Sequence, residues 1–226
     1  MRKALITFSF LILSSLLYAQ SSYRLGAIPR ININQKLENN WKINYKVESR
    51  AIISEGLLSG SSNPNFRYSL TDVSSLVSKK VGLNNSVAVG YLARFREGAI
   101  DHRFMQQFTI VSRYNAFRLA HRFATDQTFR KDLSDVFRLR YRIGIEIPLD
   151  GYAVDKREFY IKINNEYLNS FSASNHDLEI RLVPLLGYVF EDANKIEFGL
   201  DYRTDRFLDN ATRNNLWITI NWFLSI

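Results

Sequence analysis

Charged side chains recur at every second position in several segments of this chain, and they are its main candidates for chemistry. Between residues 136 and 148, Arg138, Arg140, Arg142 and Glu146 occupy even positions, while the odd positions from 137 to 147 are all apolar. Side chains on a β-strand point alternately to opposite faces, so this segment would have one charged and one apolar face. A helix would scatter both sets around its circumference. The pattern therefore predicts a strand.

Other segments repeat this alternation, and strands closed into a barrel would direct all these charges into the lumen. There they could line a polar pore or bind a ligand. They could equally form paired, hydrogen-bonded ladders that fill a narrow barrel, since paired charges are tolerated away from bulk water. We keep both interpretations. The candidate lumen residues are Arg138, Arg140, Arg142, Glu146, Glu158, Glu166, Glu179, Arg181, Glu197 and Asp201.

A second candidate site, for lipid chemistry, consists of His121, Ser112 and Arg122. A histidine beside a serine can activate the hydroxyl as a nucleophile, which an outer-membrane acyl hydrolase would need. Asp126 could orient His121 only if the strand bends, because it lies five residues further on. The alternative is an interfacial histidine without a chemical role. The sequence contains no G-x-S-x-G element, metal-ligand spacing or phosphate loop, so we predict no catalytic residue, cofactor or metal.

These side chains must be positioned by strands, and the alternation predicts eleven of them. Each is about 12–15 residues long, whereas about 9–11 residues suffice for a tilted strand to cross a membrane. The predicted strands are 23–37, 41–54, 68–81, 86–97, 101–114, 117–129, 136–148, 158–169, 178–191, 195–207 and 214–226.

The predicted fold class is all-β, as a single closed antiparallel transmembrane β-barrel of 10–12 strands. Closed single-chain bacterial barrels have even strand numbers, so eleven candidates lead us to expect ten or twelve. Short turns at 38–40, 83–85, 115–116 and 192–194 alternate with predicted long loops at 55–67, 170–177 and 208–213. Aromatic residues make up 14% of the chain, and barrels use aromatics as girdles at the two membrane interfaces.

The start of the chain predicts export. Residues 1–19 combine a basic start with a short apolar run and a small residue, Ala19, so we expect a signal peptide followed by one barrel domain, 20–226. The net charge of +8 would suit nucleic acid in a cytosolic protein. In an exported protein it favours anionic outer-membrane lipids as partners instead. The chain has no cysteine, so no disulfide can form.

Several motifs resemble the domain-of-unknown-function 2490 family, a group of predicted outer-membrane barrel proteins common in Bacteroidota. They are HRFATDQTFR at 121–130, RLRYR at 138–142, EFY at 158–160, NNEYLN at 164–169, LGY at 186–188 and the Asn-rich terminal strand. The resemblance implies an outer-membrane location and assigns no activity to any residue.

Three functional hypotheses follow. The first is an outer-membrane barrel with a structural role, in small-solute passage, or as partner in an envelope complex. The second is a lipid-modifying outer-membrane enzyme. The third is a soluble periplasmic β-barrel that binds a ligand, in which the apolar faces would form a core.

Overall fold

The computed structural model describes residues 22–57, 60, 63–131, 133–173, 175–191, 194–208 and 212–226. The predicted signal peptide, 1–19, lies outside these residues. All eleven predicted strands are present, and most of their ends are shifted. They are β1 Ser22–Lys36, β2 Trp41–Leu57, β3 Asn63–Lys80, β4 Asn85–Arg96, β5 Ala99–Arg113, β6 Arg118–Phe129, β7 Val136–Pro148, β8 Phe159–Ser172, β9 Asn175–Val189, β10 Lys195–Asp205 and β11 Arg213–Ser225.

The strands form one closed barrel in which each strand pairs with its neighbours in sequence and β1 pairs with β11. The all-β barrel of 10–12 strands is confirmed, but the expected even number is wrong. Each hairpin reverses the chain direction, so eleven hairpin-linked strands bring β1 and β11 together in parallel. This parallel seam runs from the pair Ser22 and Arg213 to the pair Asn34 and Ser225. The other ten strand pairs are antiparallel.

Two of the predicted long loops are wrong because the hairpins continue through them. Glu55 pairs with Asn63 across the β2–β3 hairpin, and its carboxylate accepts hydrogen bonds from Arg24 and Arg67 at 3.1 and 2.6 Å. These ionic contacts stabilise the ends of β2 and β3. The Gly- and Ser-rich composition of 55–67 predicts a loop there instead. Only two residues separate β8 from β9, whereas the longest connection joins β7 to β8 at 149–158.

Apolar residues lie on the outer surface of the barrel and charged residues on the inner surface. On β10, Phe198 and Leu200 are 57% and 43% exposed, whereas the alternate residues Glu197 and Asp201 are 1% and 3% exposed. This is the alternation that a closed barrel imposes. Among the described residues, no second sheet and no helix covers the outer surface. The apolar groups therefore do not form a core of the kind that a soluble barrel encloses.

Three polar side chains interrupt the apolar outer surface on β5 and β6. The Thr125 hydroxyl donates to the Gln106 side-chain carbonyl at 2.7 Å, and Gln106 and Gln127 exchange amide hydrogen bonds at 3.2 and 3.3 Å. Because these groups satisfy one another, they are less costly in an apolar environment than isolated amides would be.

The seam is packed by an aromatic side chain lying on a glycine. Trp217 of β11 is buried in the barrel interior with Ile28 and Ile52. Its ring lies so close to Gly26 of β1 that a Cβ there would be 2.3 Å from the indole. Only glycine leaves room for this contact, so Gly26 allows β1 and β11 to close against each other.

No helix in the described part of the chain is long and apolar enough to cross a membrane.

Candidate functional site

The barrel encloses a central cavity of about 400 Å³ lined mainly by charged side chains. Basic residues outnumber acidic ones in this lining. The basic residues are Arg30, Lys46, Arg50, Arg94, Arg103, Arg122, Arg138, Arg140, Arg142, Lys162, Arg181 and Arg203, and the acidic residues are Glu48, Asp72, Glu166, Glu197 and Asp201. The excess of positive charge gives the lumen a positive electrostatic potential, which attracts anions.

At the seam, five charged residues form what we name the seam cluster: Arg30, Glu48, Arg50, Asp201 and Arg203. Arg30 of β1 donates to Glu48 of β2 at 2.7 Å and to Asp201 of β10 at 2.9 Å. Arg50 contacts Glu48 at 2.6 Å, and Arg203 contacts Asp201 at 2.7 Å. Both carboxylates are buried. Each is therefore shared by two arginines, which compensates its charge.

Arg30 also crosses the seam with its remaining donors. One guanidinium nitrogen donates to the Thr219 hydroxyl at 3.0 Å and to the Asn221 side-chain carbonyl at 3.2 Å, both on β11. Thr219 in turn donates to the backbone carbonyl of Ile28 at 3.1 Å. One side chain thus joins β1, β2, β10 and β11, so the seam cluster stabilises the closure of the barrel.

A second group of ion pairs surrounds Asp126 of β6, which is 1% exposed. Arg138 contacts it at 2.5 Å, Arg140 at 3.4 Å and Arg103 at 3.6 Å. Arg140 also donates to Glu166 of β8 at 2.6 Å. Three arginines therefore share Asp126, and Glu166 is already engaged by one of them.

A third group lies around Glu197 of β10. Its carboxylate accepts hydrogen bonds from the Tyr160 hydroxyl and from Lys162, both at 2.8 Å. The Tyr160 ring lies over Gly187 of β9, where a Cβ would be 2.2 Å from the ring. Tyr160 is fully buried, and its hydroxyl is satisfied by Glu197, so this contact packs the lumen without leaving an unpaired polar group.

Arg122 and Arg142 form the exception, and we name them the arginine pair. They are directly opposite each other on β6 and β7, both face the cavity, and Glu166 lies opposite Arg142 on β8. Among the described residues, neither arginine forms a hydrogen bond or an ion pair with another side chain. Like charges directly opposite on neighbouring strands are destabilising, so this part of the lumen has an excess of positive charge without a direct ion pair.

The structure places nine of the ten candidate lumen residues on the inner surface, on β7 to β10. They are Arg138, Arg140, Arg142, Glu146, Glu166, Glu179, Arg181, Glu197 and Asp201. The tenth candidate does not lie on a strand. Glu158 lies in the 149–158 connection, where its carboxylate accepts a hydrogen bond from the backbone N–H of Asp155 at 3.1 Å. β8 begins one residue later than the alternation predicts, so Glu158 lies just before the strand.

The structure does not assemble the candidate lipid site. His121 pairs with Ile110 across β5–β6, whereas Ser112 pairs with Leu119. The His121 ring nitrogen is hydrogen-bonded to the Tyr141 hydroxyl at 2.9 Å instead. Arg122, one residue on from His121, faces the cavity.

Asp126 does not orient the histidine, because it is engaged by Arg138 inside the lumen. On one strand, residues five apart point to opposite faces. No group of three or more metal-ligating side chains in the described chain could hold a metal ion.

Several lumen residues were not among the sequence candidates although the same alternation contains them. Each occupies a polar position in a predicted strand, and its partner lies on the same strand, on the next strand or the one after it or, for Arg30 and Asp201, across the seam. These residues are Arg30, Glu48, Asp72, Arg94, Asp126, Lys162 and Arg203. Taking the polar positions of every predicted strand as inward-facing would have found most of them. Asp72 is the exception, since its strand alternates least regularly.

Comparison with known proteins agrees with the resemblance seen in the motifs. A family model described as "Protein of unknown function (DUF2490)" matches residues 27–215, from β1 into β11. No curated protein matches this chain, and no solved structure does.

Proposed function

Since the chain belongs to the DUF2490 family, whose description names no activity, we propose a function from the barrel itself: an integral β-barrel of the outer membrane. In this proposal outer-membrane lipids contact the outer surface and the charged residues line a polar lumen. The observation that carries it is the apolar outer surface of a closed barrel. In lipid every backbone polar group must be satisfied internally, which a closed barrel achieves.

The aromatic side chains support the same location. At one end of the barrel, Tyr188 packs against Phe159 and Phe190, with ring centroids 4.7 and 5.0 Å apart. At the other end, Phe137 packs against Phe171 with centroids 6.4 Å apart. Transmembrane barrels have such aromatic girdles on both sides of their apolar band.

Extraction of native membranes tests the location directly. An integral barrel stays in the pellet through alkaline carbonate and urea washes and leaves it only with detergent. Release of the folded protein by the washes alone would overturn the proposal and favour the soluble binding protein.

A pair of variants tests which face contacts lipid. Ile143→Arg puts a charge on the outer face of β7, at a cost of about 2–4 kcal/mol near mid-bilayer. Ala120→Arg is the matched control, because it adds the same charge to the inner face opposite Gly144, away from the proposed lipid contact. We expect Ile143→Arg to fold poorly into lipid vesicles and the control to fold, as judged by heat-modifiable gel migration. Equal folding of both would show that the outer face does not contact lipid.

A second candidate role, passage of small anions through the lumen, is favoured by the excess of arginine around the cavity. A constricted lumen lined by fixed positive charge conducts anions better than cations. Single-channel recording in a potassium chloride gradient measures this from the sign of the reversal potential. Absence of conductance would leave the barrel as a scaffold or as a member of an envelope complex.

A further inference from the structure

We propose that the arginine pair, Arg122 and Arg142, binds a small oxyanion of the phosphate type inside the lumen. The two side chains come from neighbouring strands at directly opposite positions, and both line the central cavity of about 400 Å³. Directly opposite residues on one face of a sheet have Cβ atoms about 5 Å apart. Two guanidinium groups can therefore reach the same ligand.

The electrostatics of the surrounding lumen call for an anion at this position. Glu166 is opposite Arg142, but it accepts a hydrogen bond from Arg140 at 2.6 Å. Asp126 of β6 is shared by Arg138, Arg140 and Arg103, and Glu146 of β7 is paired with Arg118 at 3.0 Å. The carboxylates of the wall are thus occupied, and within the described chain none forms an ion pair with Arg122 or Arg142.

The donor geometry favours a tetrahedral oxyanion. A guanidinium presents its N–H groups as a planar fork that matches two oxygens of a phosphate, and two such forks can engage different oxygens of one ion. Asn164 and Gln107 line the same cavity and offer amide N–H groups to a remaining oxygen. A dianion would also offset the repulsion between the two arginines, which no neutral ligand can do.

This binding site rests on the proposed function, because it requires a polar lumen that water and small ions can enter. It does not require passage through the barrel, and it does not require lipid. The site and the membrane location can therefore fail separately: a protein washed from membranes without detergent could still bind the ion, and an integral barrel could fail to bind it.

The test is calorimetric titration of the purified full chain, in a phosphate-free non-ionic detergent, with inorganic phosphate. We expect saturable binding that Arg122→Gln and Arg142→Gln each weaken about tenfold or more, since each removes charge-assisted hydrogen bonds to the ligand. Arg118→Gln is the matched control. It removes the same charge from β6, but Arg118 is a partly exposed residue paired with Glu146 at 3.0 Å, so we expect phosphate affinity to change less than about twofold.

Heat-modifiable gel migration and the circular dichroism spectrum establish that each variant is folded. No measurable phosphate binding to the wild-type protein overturns the site. Equal weakening by Arg118→Gln also overturns it, because that result indicates attraction to the overall charge alone. A parallel titration with a short-chain phosphatidic acid separates the two sources of phosphate. Binding of the lipid without binding of inorganic phosphate overturns a site for a small oxyanion.

Discussion

Two arginine-containing regions of the same lumen differ in how their charge is compensated. In the seam cluster, Arg30 contacts two buried carboxylates and two polar side chains of β11. In the arginine pair, Arg122 and Arg142 are opposite each other and have no such contacts among the described residues. Both regions obey the same alternation of inward charge and outward apolar residue.

The difference shows that alternation determines which face a charge occupies, whereas the register between strands determines whether it is compensated. Arg30 and Asp201 are 171 residues apart in sequence and meet only because the barrel closes. Breaking the balanced region should therefore destabilise the protein, because a buried charge then loses its partner. Changing the unbalanced region should alter ligand binding far more than stability.

The largest expected effect comes from Arg30→Gln. This substitution leaves Glu48 and Asp201 without one of their two arginines and removes the guanidinium that contacts Thr219 and Asn221 across the seam. Breaking a buried ion pair from one side costs about 3–5 kcal/mol. Urea unfolding of the protein in lipid vesicles, followed by tryptophan fluorescence, measures this loss.

Arg24→Gln is the control on the same strand. Arg24 contacts Glu55 at 3.1 Å near the end of the hairpin, where the Glu55 side chain is 34% exposed, so we expect a loss of less than about 1 kcal/mol. If Arg30→Gln cost no more than Arg24→Gln, the seam cluster would not be a stabilising element.

The strands were largely predictable because the alternation of apolar and polar residues with a period of two is a local property of the sequence. All eleven were found, and the region 136–148 agrees with β7 at both ends. The tight turn between β8 and β9 was predicted as a long loop at 170–177, because the strand ends there are held by cross-strand contacts such as Phe171 stacked on His176, with centroids 4.5 Å apart. The parallel seam was missed because the even strand number of bacterial barrels was preferred to the eleven strands that the alternation predicts, and an even number closes with an antiparallel pair.

The candidate site was predictable as a set of inward charges but not as a pattern of pairs. Arg142 was found with the other lumen candidates, whereas Arg122 was assigned to a lipid site because of its neighbour His121. Whether Arg142 meets Glu166 or loses it to Arg140 depends on side-chain packing in three dimensions. The uncompensated charge therefore became visible only once the register of β6, β7 and β8 was known.

A smaller effect is expected from Gly26→Val, which sharpens the comparison by disturbing the seam without removing a charge. Its Cβ would be 2.3 Å from the Trp217 ring and 2.5 Å from the Ala51 carbonyl, so β1 or the indole must shift. Overpacking of this kind costs about 1–3 kcal/mol. The same urea unfolding measures it, with Ala27→Val, on the next residue, as control. If the two variants were equally stable, the seam would accommodate a side chain at Gly26.

The smallest effect on stability is expected from Arg142→Gln. It makes the same change as Arg30→Gln on the same inner surface, but it removes a charge that lies opposite another arginine. Relief of a like-charge cross-strand pair stabilises by about 0.2–1 kcal/mol, so the free energy of unfolding in phosphate-free buffer should rise slightly or stay unchanged. A loss as large as that of Arg30→Gln would mean that Arg142 has a stabilising partner, and the contrast between the two regions would disappear. A small gain in stability together with weakened phosphate binding would instead identify the arginine pair as a site kept for its ligand at some cost to the fold.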